Sequence, residues 1–273
     1  MFANTTKVWI FIFISCLLIL VAGYNLGDRL GLLIAFFVSL GFYSLFFFFG
    51  ESKILHELHA QAVLGQDPWN LHSHLQKIAA DFALPAPKVY LIDHPACTIF
   101  SLSQTLKSNA VGLTTGLLYK VSDEELKILL TYQVGLLKKS DSFLFSIINS
   151  STNALIGGAV YLDSVSPWNW FSRNKKYNVF LNLIYPLGWL ILKVALREKA
   201  FLDADQTAAQ YTQQRYELSK LLWKLQGFAD KIPLQIPAGT NHLFIVPPDT
   251  RTLYQVHPSI KKRINSLLGH YPA

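Results

Sequence analysis

The sequence predicts a mostly helical membrane protein that also carries an α/β globular part. Three observations lead there. Hydrophobic residues make up 51% of the 273 positions and charged residues only 15%, which is too apolar and charge-poor for an ordinary soluble domain. The apolar excess falls in blocks close to the roughly twenty residues that a helix needs to cross a hydrocarbon core. Between the blocks, short β-rich runs alternate with runs of helical period. The net charge of +7 suits Lys and Arg flanking membrane segments and meeting anionic lipid. It does not suit nucleic acid, because no dense basic stripe with interleaved aromatics is present. Cys16 lies in an apolar run and Cys97 far from it, so neither a disulfide framework nor a CxxC site is indicated.

Residues 1–50 read as a two-helix anchor. Val8–Tyr24 is uncharged, and at about 1.5 Å per residue it nearly crosses the hydrocarbon core. A signal peptide is the alternative, but the basic region is Lys7 alone and a second span follows at once, which favours a retained anchor. Leu30–Phe49 is that second span. Gly27, Asp28 and Arg29 form the tight loop between, so the two make an antiparallel hairpin. Lys7 and Lys53 favour the cytoplasm for both chain ends of the hairpin.

Residues 51–142 read as the first part of the globular domain. Asp67-Pro68 opens a helix to about Phe82, with Leu71, Leu75, Ile78 and Phe82 on one face. Leu84-Pro85-Ala86-Pro87 ends it. Lys88–Ile92 is a strand, and Thr98–Leu102 and Ala110–Leu113 are two more. After a turn at Thr114-Thr115-Gly116 comes a helix over 126–141, opened by a capping box of Ser122 and Glu125. Leu126, Leu129, Leu130, Val134 and Leu137 give it one apolar face. Lys138 and Lys139 sit at the negative end of its dipole.

Residues 143–196 read as an inserted apolar helical hairpin, in the membrane or in its interface. Phe143–Leu162 is interrupted by Asn149, Ser150, Ser151, Thr152 and Asn153. It is either a span packed against other helices or a helix lying in the interface. The loop 163–177 carries Trp168, Trp170, Arg173, Lys175 and Lys176. The two Trp fit a membrane-interface belt or an exposed loop. Val179–Leu196 contains Pro186 and a Lys193 close enough to the end to snorkel. A basic loop fits poorly on the far side of a membrane, which leaves the topology of this pair open.

Residues 197–273 read as the second part of the globular domain. A helical run over 197–230 has Leu218, Leu221, Leu222 and Leu225 on one face and Gly227 as its terminator. A short apolar piece, Leu243–Val246, leads through Pro247-Pro248 to a last helix from Pro258 to Leu268.

Six pieces in order carry a family likeness. They are PKVYLID at 87–93, NAVGLTTGLL at 109–118, SDEELKILL at 122–130, LDADQTAAQYT at 202–212, HLFIV at 242–246 and HPSIKKRINSL at 257–267. In this order and spacing the chain resembles the HtpX family of membrane zinc metallopeptidases over nearly its whole length. The resemblance implies transmembrane helices and an α+β zincin-like metallopeptidase domain with a small sheet. It further implies that this domain faces the cytoplasm from a bacterial inner membrane. It also implies His-Glu-x-x-His on the helix at 126–141, and a Glu four residues before an Asp after the inserted hairpin. Two His at i and i+4 lie on one helical face and reach one zinc ion, and the Glu takes a proton from zinc-bound water.

At the matching positions this chain has Tyr132, Gln133, Leu136 and Phe201, and Asp205 is the retained Asp. Leu and Phe cannot ligate zinc, a Tyr phenol with a pKa near 10 is a weak substitute, and Gln is no general base. The expectation is therefore a degenerate member with no catalytic residue, no metal and no cofactor, the family's zinc being lost. Leu136 and Phe201 should meet as an apolar plug with Tyr132 alongside, and Asp205 should be a buried polar contact or a cap. His56 and His59 have the wrong spacing for the protease motif, and His72 and His74 point to different helical faces. His257 reads as structural. Glu198 and Asp203 flank the lost ligand, where a register slip would restore one carboxylate without its His partners. There is no GxSxG and no P-loop, and Gly157-Gly158 suits helix packing.

The function expected from the resemblance is that of a catalytically inactive pseudoprotease in the membrane. It would bind polypeptides or partner proteins in membrane protein quality control, and nucleic acid is not expected as a partner. The peptide-binding element would be the edge strand Thr98, Ile99, Phe100, Ser101, Leu102 and Ser103, by strand addition. Partners would be the lipid bilayer and unfolded or membrane polypeptides or an active protease. The alternative is an active membrane zinc metalloendopeptidase with relocated ligands, and a third reading is a purely structural membrane protein.

Overall fold

A computed structural model describes residues 2–65, 67–103, 109–138, 146–147, 156–166, 178–183, 198–236, 240–248 and 257–269. Helix α1 (Phe2–Glu57) opens the chain and is broken once. Gly27 (φ −155°, ψ 28°) and Asp28 (φ 50°, ψ −133°) leave helical geometry, at the loop that the sequence predicts. The two halves then fold back on each other. The hydroxyls of Ser15 and Tyr43 share a hydrogen bond although 28 residues separate them, a separation that would be about 42 Å along a straight helix. Glycine makes the crossing possible, since a Cβ on Gly23 would lie 2.4 Å from Ala35 Cβ and 2.6 Å from the Gly31 carbonyl oxygen. Among the described residues, Ile12–Ser44 is apolar, and counted across the break at Gly27 and Asp28 it has the length of a membrane-crossing helix. At the other end of α1, Ile54, Leu55 and Leu58 are buried in the globular core, so the helix is rooted in that domain.

The sheet has four strands, β1 (Gln61–Ala62), β2 (Lys88–Ile92), β3 (Ile99–Ser103) and β4 (Asn109–Thr114), in the order β1-β2-β4-β3. The β2–β4 pair is parallel and the others are antiparallel. Phe100 on β3 lies opposite Gly112 on β4, and a Cβ on Gly112 would fall 2.1 Å from the Phe100 ring. Only glycine lets that ring lie across the strand.

Helix α2 (Leu71–Asp81) buries Leu71, Leu75 and Ile78 as its periodicity predicts. It starts four residues later than Asp67 because Asn70 takes the left-handed conformation (φ 51°). The Asp67 carboxylate still accepts from the His72 N–H at 2.8 Å. After α3 (Thr115–Lys120) comes α4 (Asp123–Lys138). Its capping box closes as predicted. Ser122 N–H donates to Glu125 Oε2 at 2.8 Å, and Glu125 N–H donates to Ser122 Oγ at 3.2 Å. Lys224 then donates to both oxygens of Glu125.

One expectation for α4 is corrected. Its sequence shows a single apolar face, yet every residue from Ile128 to Leu137 is buried. The helix runs through the middle of the domain, between β3, α2 and two later helices, α6 (Glu198–Thr212) and α7 (Arg215–Lys231). Buried Thr131 and Gln133 find partners on the helix itself and on β3. Thr131, for example, donates to the Lys127 carbonyl at 2.8 Å.

Of the inserted stretch, α5 (Ile156–Val165) and a helical turn at 179–183 are described. Apart from 146–147, 166 and 178, the remaining residues of 143–196, including both Trp and the basic positions of the loop, lie outside the described residues. Helix α7 passes through Gly227 and ends at Lys231, so Gly227 is not its terminator. A 3-10 turn, Asn241–Leu243, leads into buried Phe244 and Ile245. The last helix, α8 (Ile260–Leu268), is capped by Ser259 and ended by Gly269 at φ 77°.

By strand order β3 is an edge of the sheet, but it is a covered one. Thr98, Ile99, Phe100, Ser101, Leu102 and Ser103 are all buried. Phe244 forms an antiparallel bridge with Phe100, and the Ile245 N–H donates to the Ile99 carbonyl at 3.1 Å. At the far end, Ser103 N–H donates to Ser146 Oγ at 3.3 Å.

Candidate functional site

Helix α4 presents Tyr132, Gln133 and Leu136, and α6 presents Phe201 and Asp205 beside them. All five are buried. Their neighbours come from the tail. On α8, Arg263 is wholly buried, and its Nε and Nη2 donate to the two Asp205 oxygens at 2.8 and 2.7 Å. Its Nη1 donates to the Ile245 carbonyl. The guanidinium lies 5.4 Å from the centroid of the Tyr132 ring. Burial alone would lower the pKa of Arg263, but the Asp205 carboxylate outweighs it and holds the group above its ordinary range, so the cation is permanent.

His257 completes the centre. Its ring packs on Phe201 with centroids 4.4 Å apart. Nε2–H donates to the Phe244 carbonyl at 2.8 Å, which fixes the tautomer. Nδ1 has no hydrogen-bond partner among the described residues. Burial first, then the charges of Arg263 and His242, push this imidazole down to about 3, so it is neutral at physiological pH. Gln133 acts as a strut between layers. Its Nε2 donates to the Ile99 carbonyl at 3.3 Å, the same oxygen that takes the Ile245 N–H.

These residues do not fit a zinc ion. Leu136 and Phe201 offer no donor, and both oxygens of the Asp205 carboxylate are taken by Arg263. The other candidates are engaged or scattered. His72 pairs with Asp67 at 3.1 Å and His74 with Asp123 at 3.3 Å. His94 accepts from the Ala96 N–H. Glu198 is ion-paired with Lys262 on the surface. Among the described residues, no group of three or more His, Cys, Asp or Glu is gathered to hold a metal.

Asp205 is the buried polar contact that the sequence suggests. Arg263, its partner, is the residue that sequence reasoning missed. A signal was available, because Arg263 shares a stripe with Ile260 and Leu267 on a helix of strong amphipathic pattern. A cation placed on the apolar face of a helix requires a buried carboxylate.

The fold and this centre together define an α+β domain closed around a buried ion pair and preceded by an apolar N-terminal helix. The profile of peptidase family M48 matches residues 66–270, and the chain belongs to that family. Its similarity extends beyond the matched region. A "Protease HtpX homolog" from Pelotomaculum thermopropionicum is 25% identical over 280 residues, covering 97% of this chain and 98% of the relative. Another, from Persephonella marina, is 29% identical over 269 residues, covering 92% and 91%. Among solved structures, the crystal structure of S. mikatae Ste24p matches with a TM-score of 0.49 and 17% identity, over 96% of this chain and 67% of that one.

Proposed function

We propose that this M48-family chain is a membrane pseudoprotease, one that keeps the family's frame and works by binding polypeptides or partner proteins. The observation that carries the reading is the chemistry of four positions. Tyr132, Gln133, Leu136 and Phe201 stand where the HtpX-like pattern calls for two His, a Glu and a third ligand, and Arg263 puts a fixed positive charge beside them. Leu and Phe cannot be tuned into ligands, and a structural zinc site depends on full coordination for roughly 10–16 kcal/mol. None of the side chains at these four positions is a general base at neutral pH. The apolar hairpin of α1 supports a membrane location, with the globular part on the cytoplasmic side of a bacterial inner membrane. Membrane protein quality control is the process that this reading serves. Docking of a polypeptide on Thr98–Ser103 would have to displace Phe244 and Ile245 from Ile99 and Phe100. Partner contacts elsewhere on the surface meet no such barrier.

An active zinc endopeptidase is the second reading, supported by the relatives being named proteases. Metal content separates the two. The full chain, purified in mild detergent, should carry no stoichiometric zinc and should leave unfolded casein intact, with or without added zinc. A stoichiometric, chelator-sensitive zinc ion together with casein cleavage would sink the first reading. Loss of both on His56→Ala and His59→Ala substitution would then locate the ligands.

A further inference from the structure

We infer that the outer edge of β1 takes up an extended segment of an unfolded polypeptide by strand addition, a site that rests on the polypeptide-binding half of the proposed function and not on the absence of zinc.

The two edges of the sheet differ. At β3 the edge is closed by Phe244, Ile245 and Ser146. At the other end of the order β1-β2-β4-β3, no strand among the described residues lies beyond β1. The register fixes which backbone groups face out there. Gln61 lies opposite Leu91 and Ala62 opposite Tyr90, and the Val63 N–H donates to the Val89 carbonyl at 3.0 Å. Along an antiparallel pair, residues alternate between exchanging hydrogen bonds with the neighbour and turning their groups away from it. With Gln61 and Val63 bonded toward β2, Ala62 turns its N–H and C=O outward. Among the described residues, no hydrogen bond takes up either group.

This edge is also unguarded. Sheet edges are protected by Lys, Pro or a bulge as well as by shortness. Residues 60–65 read AQAVLG, without a charge or a proline. Gln61 and Ala62 are exposed, Leu64 is 88% exposed, and a Cβ on Gly65 would meet nothing within 4 Å. An outward donor and acceptor beside a bare leucine suit an extended chain that sets an apolar side chain against Leu64. In such pairing the backbone bonds give affinity and the side-chain contact gives preference.

The size of the edge selects the occupant. Two such strands from two copies would meet over two residues each, far short of the roughly 20–30 residues a side of a stable interface. An unfolded segment brings its own strand and needs no matching surface. It would be held at the foot of the apolar helix, because β1 follows directly on the end of α1 at Glu57 and the Ala60 N–H donates to the carbonyl of buried Leu55 at 2.9 Å.

The test measures binding of fluorescently labelled casein, an unfolded polypeptide, to the full chain in mild detergent by anisotropy. Ala62→Pro removes only the outward N–H, and an edge strand accepts proline where its N–H faces solvent. Leu64→Asp sets a charge on the edge at an exposed position. Both variants should melt like the parent and bind casein at least about fivefold more weakly, as for one lost hydrogen bond. Gln61→Ala, which leaves the outward backbone groups in place, should bind like the parent. If Ala62→Pro does not fold, Leu64→Asp decides alone. Casein binding that neither variant weakens would overturn the β1 site while leaving polypeptide binding in place. A parent that binds no casein would overturn both. A parent that sediments as a dimer, split into monomers by Leu64→Asp, would make a second copy the occupant and overturn the inference as well.

Discussion

Replacing Asp205 by alanine should be the most damaging single change at the interface of α4 and α6. The carboxylate and the Arg263 guanidinium both have no exposed surface, and they meet through two hydrogen bonds of 2.7 and 2.8 Å. Without Asp205, Arg263 keeps the Ile245 carbonyl and Tyr132 among the described residues. A guanidinium cannot shed its proton, so the substitution strands a charge in an apolar core. Breaking a buried pair in this way costs about 3–5 kcal/mol. For a domain of this size the melting temperature should fall by on the order of 10 °C. The double variant Asp205→Leu with Arg263→Met removes both charges at similar volume and should recover most of the loss, because a buried ion pair is often exchangeable for packed apolar groups. The assay is thermal unfolding of the detergent-solubilised chain followed by circular dichroism, with all variants at one scan rate. The reasoning fails if Asp205→Ala melts like the parent, or if the double variant is as unstable as the sum of its two single changes.

Three further outcomes are expected. Leu136→His buries an imidazole without a partner and should lose about 2–4 kcal/mol, with no recovery on adding zinc; a zinc-dependent rise in melting temperature would contradict the account of the centre. His257 titrates near 3 in the folded chain against an ordinary value of 6.5. Unfolded chains therefore take up a proton that the folded chain refuses, and stability should fall as pH drops from about 6.5 toward 3, by up to about 1.4 kcal/mol per pH unit. His257→Asn should flatten that slope, and an unchanged pH profile would refute it. Burial pushes the Cys97 thiol up to about 11 despite Lys120 and Lys224 nearby, so iodoacetamide at pH 8 should spare Cys97 until the domain unfolds. Rapid alkylation of the folded chain would show that the site is open.

The sequence by itself determined those features whose physics is local. The break at Gly27 and Asp28, the strand Lys88–Ile92 and the capping box of Ser122 and Glu125 each depend on a few neighbouring residues, and each lies where the pattern puts it. That Leu136 and Phe201 carry no donor atom for a metal was also legible, because side-chain chemistry does not depend on packing. Tertiary structure decided the rest. Helix α4 reads as one-faced but is buried all round, since a period of 3.6 reports only the apolar side and not what later packs on the polar one. Asn70 in the left-handed conformation delays α2 past the point that Asp67 suggests. The edge strand at 98–103 is closed by Phe244 and Ile245, more than 140 positions further on in sequence. The centre itself joins Tyr132, Asp205 and Arg263, which lie on three helices far apart in the chain. Side-chain chemistry is written at each position, but which charge meets which is set only when the helices close around one core.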